Sequence, residues 1–493
     1  MKKWKLFPLL LCLLLAAALA GYAESGQDGE AFRDNTSVTT AVIAGETIEY
    51  TATAGTMALS SDLGKYELFY VAYTKDGEEA ASRPVTFAFN GGPGSATMWL
   101  HMGLLGPMRV CVDEEGRMPA LPLGYEPNEN SILDMTDLVF VNPVGTGYSR
   151  AVQGTDPKAF YSYSHDIQSV GDFIRMYVSR NARWASPKYL AGESYGTTRA
   201  AGLCRYLSDQ CAMSLNGIMM ISSANDMASL DFDDGNFLPY AVFFPTYAAS
   251  AWYHGKLDQE LQEMSLEAFL EEVRTFVDRR YLPALFQGSR LSQEEKEEMA
   301  QQLGRYSGLK AEYWLKNNLR VIMEDFGVQL LSDERKMIGR IDTRYTGPLL
   351  GGDYGTGVSD PSFYGFTQAF CAADSDYISR ELKYHTDEPY IAISRELGES
   401  WDSGELGGKT LSQEPILNEE LSQNPFLKIW VLCGYYDMAT PFYAAEYTYS
   451  QIFADQDRMD NVSFTYYPSG HMFYIHKPSM LKFREEAEAW FGK

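Results

Sequence analysis

The amino-acid sequence predicts an α/β fold with a mostly parallel central sheet, N-terminal antiparallel strands and a helical lid insertion, and it leaves open whether those strands join the sheet. The first indication is that short apolar runs of β character alternate with segments whose apolar residues recur at helical spacing. The second is an early stretch, Ser37 to Ala81, in which apolar and polar residues alternate as in antiparallel hairpins. With 493 residues the chain can bury a large core without a disulfide or metal staple.

Residues 1–23 have the pattern of a secretion signal. A basic start is followed by an apolar run from Leu6 to Ala20, and small residues then lead to Ala23. The run has 15 residues, fewer than the ~20 that span a bilayer as a helix, so a cleaved signal is favoured over an uncleaved anchor. We therefore expect an exported protein, periplasmic or extracellular, with no stable membrane association once the signal is removed.

Six short apolar runs are the strand candidates of the central sheet. Helical periodicity lies between the second and third of them, from Ile167 to Val178, and directly after the third, from Ala200 to Leu207. This order is typical of a parallel sheet covered by helices. The six runs are Val85–Phe89, Leu138–Val141, Tyr189–Ala191, Ile218–Ile221, Ile429–Leu432 and Val462–Tyr466.

A block of different character separates the fourth strand candidate from the fifth. It contains a long amphipathic helix from Leu266 to Val277, and a capping box formed by Ser292 and Glu295. We interpret this block as a mostly helical lid inserted into the sheet domain. The parts of the predicted domain layout are residues 24–229 (sheet domain, first part), 230–400 (lid) and 401–493 (sheet domain, second part).

The composition argues against several classes of partner. Acidic residues outnumber basic ones 66 to 41, a formal net charge of −25, and a surface of that sign repels nucleic-acid phosphates and anionic membranes. Five cysteines follow the signal; their number is odd and no CxxC pair occurs, so we expect at most one disulfide. No motif implies a metal or an organic cofactor.

The segment Gly192-Glu193-Ser194-Tyr195-Gly196 carries the first catalytic signal. A lone G-x-S-x-G arises by chance, but this one follows a strand candidate and precedes a helix candidate, which is the context of a nucleophile elbow. The turn is tight, so small residues flank the serine and leave its hydroxyl at the C-terminal edge of the sheet, near a helix N-terminus. Ser194 is therefore the predicted nucleophile.

A serine nucleophile needs a base, and the base needs an orienting acid. In the α/β-hydrolase fold, which we predict here, the acid and then the histidine follow the serine along the chain. Of the six histidines, His471 lies in a loop just past the last strand candidate, whereas His476 precedes a Lys-Pro pair and is expected to be a solvated turn residue. Asp437 follows the fifth strand candidate and is the predicted acid; a loop-capping role is its alternative.

A second motif, Asn90-Gly91-Gly92-Pro93-Gly94-Ser95, directly follows the first strand candidate. Glycines let backbone N–H groups approach a ligand closely. A phosphate-binding loop would need Gly-Lys-Ser or Gly-Lys-Thr after the glycines, and none follows. An oxyanion hole fits better, because the N–H of Gly92 can act together with the N–H of Tyr195, the residue after the nucleophile.

Four segments of the chain resemble the serine carboxypeptidases, peptidase family S10, and they occur in the family's order. Residues 142–149 are similar to another family block, and Trp99-Leu100-His101 and Ala439-Thr440-Pro441 look more like the bacterial branch. The resemblance runs from about Pro84 to the C-terminus and is weakest in the insertion. The four segments are Asn90-Gly91-Gly92-Pro93-Gly94, Gly192-Glu193-Ser194-Tyr195-Gly196, Gly434-Tyr435-Tyr436-Asp437 and Gly470-His471-Met472.

The resemblance implies a catalytic role for five residues. Ser194 would be the nucleophile, His471 the general base and acid, and Asp437 the group that orients the histidine. The N–H groups of Gly92 and Tyr195 would form the oxyanion hole.

The resemblance also implies a site for the terminal carboxylate of a peptide, made of Asn90, the N–H of Gly91 and Glu193. Two carboxylates form a hydrogen bond only when a proton lies between them, so Glu193 must be neutral when a peptide C-terminus is bound. Ionised Glu193 repels the substrate. This requirement accounts for the family's better activity on peptides in acid.

Two positions depart from the family pattern. The family commonly has a second glutamate three residues before the proline of a Gly-Pro pair, and here that position is Leu104. Carboxylate recognition is therefore expected to be weaker or rebuilt, with Arg340 or Arg344 of the insertion as a candidate cation. Ser95 stands where the family often has a cysteine, so the usual disulfide near the site is not expected.

Three functions stay open on the sequence alone. The leading hypothesis is an exported serine carboxypeptidase that acts on peptide or protein C-termini through an acyl-enzyme. An esterase or acyltransferase would use the same triad, but Asn90 and Glu193 argue against it, because an ester has no carboxylate for them to bind. A non-catalytic hydrolase-fold binding protein is the third, and the intact Ser194, Asp437 and His471 argue against it. No oligomeric state follows from the sequence.

Overall fold

The computed structural model describes residues 33–349, 360–402, 404 and 409–492. The predicted secretion signal lies outside these residues. The described part of the chain contains one ten-stranded sheet and two short two-stranded ribbons. The strands are β1 (Arg33–Ile43), β2 (Glu46–Ser61), β3 (Gly64–Lys75), β4 (Val85–Phe89), β5 (Met108–Val110), β6 (Tyr125–Pro127), β7 (Asp137–Val141), β8 (Arg150–Val152), β9 (Lys188–Ser194), β10 (Gly217–Ser223), β11 (Lys336–Ile338), β12 (Thr346–Pro348), β13 (Lys428–Gly434) and β14 (Val462–Tyr467).

The six strand candidates of the parallel sheet are confirmed as β4, β7, β9, β10, β13 and β14. In space their order is β7-β4-β9-β10-β13-β14, and every neighbouring pair is parallel. Five of these six strands are short and strongly apolar because they are buried on both faces, as parallel strands usually are.

The N-terminal hairpin is part of the same sheet, a point that the sequence did not decide. Strands β2 and β3 are antiparallel, with Tyr50 opposite Lys75 and Ser61 opposite Gly64. Strand β3 then pairs antiparallel with β7, where Tyr70 lies opposite Val141. The predicted N-terminal antiparallel strands and mostly parallel sheet are therefore confirmed, and the structure adds that the two belong to one sheet.

Side chains of the parallel strands alternate between two apolar cores, one on each face of the sheet. In β10, Ile218 and Met220 belong to one core, and Met219 and Ile221 belong to the other. Strand β13 alternates in the same way. Because both faces are apolar, both must be covered by helices.

Helices lie against both faces. The two predicted helices on either side of β9 are confirmed as α2 and α3, and the chain between β10 and β13 is mostly helical where it is described. No helix of the described residues is long and apolar enough to cross a membrane. The helices are α1 (Met98–Leu100), α2 (Tyr163–Arg180), α3 (Tyr195–Cys211), α4 (Leu238–Val242), α5 (Phe244–Tyr253), α6 (Gln259–Gln262), α7 (Leu266–Phe276), α8 (Leu282–Gln287), α9 (Gln293–Ser307), α10 (Ala311–Lys316), α11 (Met323–Gln329), α12 (Pro361–Arg380), α13 (Arg395–Glu399), α14 (Glu414–Gln423), α15 (Phe442–Ser450), α16 (Gln456–Met459) and α17 (Lys477–Phe491).

The parallel strands position the candidate site. Because β4, β9, β13 and β14 run in the same direction, their carboxyl ends meet at one edge of the sheet, where ligands bind in open α/β sheets. The loops that leave these four ends carry the motif that begins at Asn90, then Ser194, Asp437 and His471.

Candidate active site

Ser194 is the last residue of β9 and the N-cap of α3, so the chain turns from strand to helix at the serine itself. Its backbone has φ 60° and ψ −130°, a strained conformation for a residue with a side chain. The flanking glycines permit the turn, because a Cβ on Gly192 would collide with the carbonyl oxygen of Gly196. The strained turn holds the serine at the sheet edge, where it is partly exposed.

His471 is fixed by its backbone on both sides. Its N–H donates to the carbonyl oxygen of Ile341 at 2.7 Å, and its own carbonyl oxygen accepts from the Ser222 hydroxyl at 2.6 Å. The imidazole Nδ1 lies 2.8 Å from Oδ2 of Asp437. The ring is therefore oriented by an acid through one nitrogen, with the other nitrogen left for chemistry.

Asp437 is fully buried and its carboxylate is well supplied with donors. Oδ1 accepts from the N–H groups of Ala439 and Thr440 at 2.7 and 2.9 Å, and Oδ2 accepts from the Thr440 hydroxyl at 2.7 Å. The Thr440 hydroxyl also lies 3.1 Å from His471 Nδ1. These donors fix the side chain of Asp437 in place beside the imidazole.

The pKa of His471 is displaced by opposing effects. Burial alone lowers it, but the charge and hydrogen bond of Asp437, together with the charge of Glu193, raise it above its usual value. The net direction is upward. The imidazole is thus a stronger base than a free histidine.

Ser194 and His471 line the same cavity of about 240 Å³. Among the described residues, no hydrogen bond joins the serine hydroxyl to the imidazole, so the two groups are brought together without direct contact. Such bonds are often long in ligand-free enzymes and tighten when substrate binds.

The two predicted oxyanion donors belong to loops that touch. A Cβ on Gly91 would collide with the backbone nitrogen of Tyr195, so only glycine lets the loop after β4 lie against the start of α3. Gly92 follows with φ +108° and lines the cavity. The backbone nitrogens of Gly92 and Tyr195 therefore come from adjacent loops next to Ser194.

Glu193 is 3% exposed and lines the cavity beside Ser194. Its Oε2 accepts from Nδ2 of Asn90 at 3.0 Å and from the Tyr474 hydroxyl at 2.6 Å. Asn90 is oriented in turn, because its Oδ1 accepts from the N–H of Leu100 at 3.1 Å. Burial raises the pKa of Glu193 to about 7, against the charge of His471 and the hydrogen bonds from Tyr474 and Asn90, which lower it.

Apart from Arg340, a candidate cation, the rest of the cavity wall was assigned no role from the sequence. It is mostly apolar and comes from six separate segments of the chain, three of which belong to the block between β10 and β13. Its members are Trp99, Arg340, Ile341, Phe363, Phe366, Ile393, Ala439 and Met472. Trp99 and Met472 stand within or beside the motifs and could have been found from them. The aromatic residues of α12 carried no local signal. Larger cavities, of about 410 and 590 Å³, lie elsewhere and contain none of the predicted site residues.

The two candidate cations differ in their surroundings. Arg344 is buried, forms an ion pair with Asp342 at 2.7 Å and donates to the Ser469 hydroxyl at 2.9 Å. Arg340 lines the cavity, and among the described residues no carboxylate forms an ion pair with its guanidinium. Of the two, Arg340 is the one that a ligand in the cavity can meet.

Two further expectations concern residues outside the cavity. His476 was predicted to be a solvated turn residue, and this is wrong: it is 9% exposed and lies 2.7 Å from the Ser479 hydroxyl through Nδ1. It is the N-cap residue of α17, a helix that packs on the sheet through Met480 and Phe483. The five described cysteines are all free, and no group of three or more His, Cys, Asp or Glu in the described residues is arranged to hold a metal ion.

A family model described as serine carboxypeptidase, Peptidase S10, matches residues 45–325, which are 281 of the 493 residues. The chain is also similar to the pheromone-processing carboxypeptidase KEX1 of Yarrowia lipolytica (strain CLIB 122 / E 150), with 29% identity over 167 residues. That match covers 32% of this chain and 24% of the relative, so it spans about a quarter of the relative's length.

Among solved structures, the fold is similar to that of Kex1(delta)p, a prohormone-processing carboxypeptidase from Saccharomyces cerevisiae. The TM-score is 0.56 at 16% identity, over 89% of this chain and 91% of that one. At this identity the likeness concerns the fold, and it agrees with the α/β-hydrolase fold predicted from the sequence.

Proposed function

The chain belongs to the serine carboxypeptidase family, and on this premise we propose that it is an exported enzyme that hydrolyses the last peptide bond of peptides through an acyl-enzyme. In this proposal residues 1–23 direct export. Residues 230–400 form a lid beside the cleft of a sheet domain that comprises residues 24–229 and 401–493.

In the first half-reaction, the Ser194 oxygen attacks the carbonyl carbon of the last peptide bond, and its proton passes to Nε2 of His471. Asp437, 2.8 Å from Nδ1, stabilises the imidazolium that forms. The C–N bond then breaks, and His471 gives the proton to the leaving amine. The terminal amino acid departs, and the rest of the peptide stays as an ester on Ser194.

In the second half-reaction, a water molecule gives a proton to His471 and attacks the ester, which releases the shortened peptide and restores Ser194. In both halves the N–H groups of Gly92 and Tyr195 stabilise the negative oxygen of the tetrahedral intermediate. Loss of one such donor typically costs ~3 kcal/mol of transition-state stabilisation.

The observation that carries the proposal is a buried carboxyl group beside the nucleophile. Glu193 lines the cavity, is held by Asn90 at 3.0 Å and has a pKa of about 7. Below that pH it is mostly neutral and can donate to a substrate carboxylate; above it, two negative charges would face each other. This argues against an esterase or acyltransferase, because an ester substrate has no terminal carboxylate for Glu193 to bind.

Two titrations then shape the pH dependence. His471 must be neutral to act as a base, so activity falls as the pH drops below its raised pKa. Glu193 must be neutral to bind a terminal carboxylate, so activity on peptides falls as the pH rises above about 7. A substrate without a terminal carboxylate should show only the acid limb.

The direct test compares a blocked dipeptide with its C-terminal amide. We expect kcat/KM for the free acid to exceed that for the amide by at least tenfold at about pH 6. Equal rates would remove the carboxylate-binding role and leave an esterase or a general hydrolase.

A second test uses a fluorophosphonate probe, which labels activated serines. Wild-type protein should be labelled and Ser194→Ala should not, whereas Ser95→Ala, which changes another serine of the same cavity, should keep its label. Absence of labelling in the wild type would favour a non-catalytic binding protein.

A further inference from the structure

Tyr474 is a fully buried tyrosine whose hydroxyl donates to Oε2 of Glu193 at 2.6 Å. It lies in a short helical turn, Phe473–Ile475, three residues after His471. It belongs neither to the triad nor to the set of residues that the family resemblance assigns to the substrate. Its only hydrogen bond recorded in the described residues is the one to Glu193.

The chain makes specific room for this ring. A Cβ on Gly103 would collide with Cε2 of Tyr474 and would lie 2.8 Å from its Cδ2, so any larger residue at position 103 would displace the ring. Gly103 belongs to a π-helical turn, His101–Leu105, and the next residue, Leu104, is fully buried and apolar. The space left by Gly103 is thus filled by the ring whose hydroxyl donates to Glu193.

The hydrogen bonds at Glu193 are unevenly distributed between its two oxygens. Oε2 receives both recorded donors, Tyr474 at 2.6 Å and Asn90 at 3.0 Å, and Oε1 receives none from the described residues. A protonated carboxyl that already accepts two hydrogen bonds at Oε2 carries its proton on Oε1. Burial raises the pKa of Tyr474 well above its usual value, so the phenol keeps its proton and stays a donor.

We propose that Tyr474 is a positioning residue for substrate recognition: it occupies Oε2 of Glu193, directs the carboxyl proton to Oε1 and the substrate's terminal carboxylate, and sets the pH above which peptides are no longer bound. This inference rests on the proposed function. It adds to that function a residue that controls carboxylate recognition through Glu193.

The groups around Glu193 determine whether loss of the Tyr474 hydroxyl raises or lowers the pKa of Glu193. His471 and Asp437 act on it through their charges, Asn90 and Tyr474 through hydrogen bonds, and Arg340 lies in the same cavity. Tyr474 stabilises the ionised form of Glu193 and so opposes burial. Removal of its hydroxyl should therefore raise the pKa of Glu193 and extend peptide hydrolysis to higher pH.

The test is Tyr474→Phe, with kcat/KM for a blocked dipeptide measured from about pH 5 to about pH 9. We expect the alkaline limb to move to higher pH by about one pH unit. The reason is that loss of one hydrogen bond to an ionised group raises the pKa of a carboxyl by roughly that amount. The acid limb, which belongs to His471, should move less. Tyr467→Phe is the matched control, since the Tyr467 hydroxyl is also buried and donates to a carboxylate, that of Glu486 at 3.0 Å, away from the cavity.

A second variant should move the alkaline limb in the opposite direction. Replacement of Tyr474 by 3-fluorotyrosine makes the phenol a stronger donor with little change of shape, so the alkaline limb should move to lower pH. This variant keeps the inference testable if Tyr474→Phe lowers the melting temperature much more than Tyr467→Phe does.

Glu193→Gln separates this inference from the function on which it depends. The amide cannot ionise, so the alkaline limb should disappear, and Tyr474→Phe added to it should leave the profile unchanged. If Glu193→Gln removes the limb but neither Tyr474 variant moves it, the inference is wrong and the proposed function stands. If Glu193→Gln keeps the limb, the carboxylate-binding part of the proposed function is itself wrong.

Discussion

Within the part of the chain that the structure describes, two histidine–aspartate pairs are buried, and their comparison separates structure from chemistry. His471 lies 2.8 Å from Asp437, and His101 lies 3.0 Å from Asp374; in both pairs the imidazole uses Nδ1. All four residues are buried. By distance and burial alone the two pairs are almost the same.

The two pairs differ in the surroundings of Nε2, the imidazole nitrogen that does not contact the aspartate. Nε2 of His101 lies 2.7 Å from the hydroxyl of Tyr73, inside a cluster of aromatic rings. Nε2 of His471 has no recorded partner in the described residues, and the ring lines the cavity that also contains Ser194. A histidine–aspartate pair becomes a catalytic candidate only when its free nitrogen opens toward a nucleophile and a space for substrate.

The largest expected difference is in kcat, and it lies between two hydroxyls. The Ser194 hydroxyl belongs to the cavity of His471, and the Tyr73 hydroxyl contacts Nε2 of His101. Ser194→Ala should lower kcat by ~10⁶-fold, because the nucleophile is lost and the rest of the triad has nothing to activate. Tyr73→Phe should leave kcat within about threefold and lower the free energy of unfolding by about 1 kcal/mol. Steady-state hydrolysis of a blocked dipeptide and urea unfolding measure both. A comparable loss of activity in Tyr73→Phe would contradict the separation of the two pairs.

The acids provide the next test. Asp437→Asn should lower kcat by ~10⁴-fold, since the amide favours the wrong tautomer of His471 and does not stabilise the imidazolium. Asp374→Asn makes the same change on the other pair and should leave kcat within about threefold per folded molecule. If the two variants lose activity equally, the pair in the aromatic cluster also supports catalysis.

For the free energy of unfolding we expect the opposite order, with the larger loss in the Asp374 variant. Asp374 is buried and links α12 to the turn that holds His101, so Asp374→Asn should lower the free energy of unfolding by about 1–3 kcal/mol. Ser194→Ala removes a partly exposed hydroxyl and should change it by less than about 0.5 kcal/mol. Denaturant unfolding at constant pH measures both values. Equal destabilisation would mean that the Ser194 side chain also has a structural role.

The smallest effect should come from Arg340, whose charge acts on His471 in the same cavity. Arg340 lowers the pKa of His471, so Arg340→Gln should raise that pKa and move the acid limb of kcat/KM to higher pH. The rate on the acid side should fall by roughly threefold. Arg335→Gln, an exposed arginine of the same segment outside the cavity wall, is the charge-matched control and should not move the limb. A shift of the same size in both variants would indicate a general effect of net charge.

The core of the fold could be predicted from the sequence, and the same reasoning selected residues that the structure brings together at the candidate site. Five of the six parallel strands are buried on both faces, which leaves continuous apolar runs that turn residues delimit, and those runs made the strands recognisable. Ser194 was found because strand, turn and helix are contiguous, so its strained φ and the glycines around it leave a local pattern. Asp437 and His471 were selected by their order after the strands, and the sequence had no means of recognising the second pair at His101.

What only the tertiary structure decided is how segments distant in the sequence meet. No local pattern indicated that Tyr474 reaches Glu193, that Thr440 contacts both Asp437 and His471, or that Arg340 and not Arg344 faces the cavity. Nor did any local pattern indicate that Phe363 and Phe366 of α12 line the cavity. The physical reason is that motifs record constraints imposed by adjacent backbone, whereas these contacts depend on how segments from different parts of the chain pack against one another at the edge of the sheet, and that packing is the sum of many small, non-local interactions.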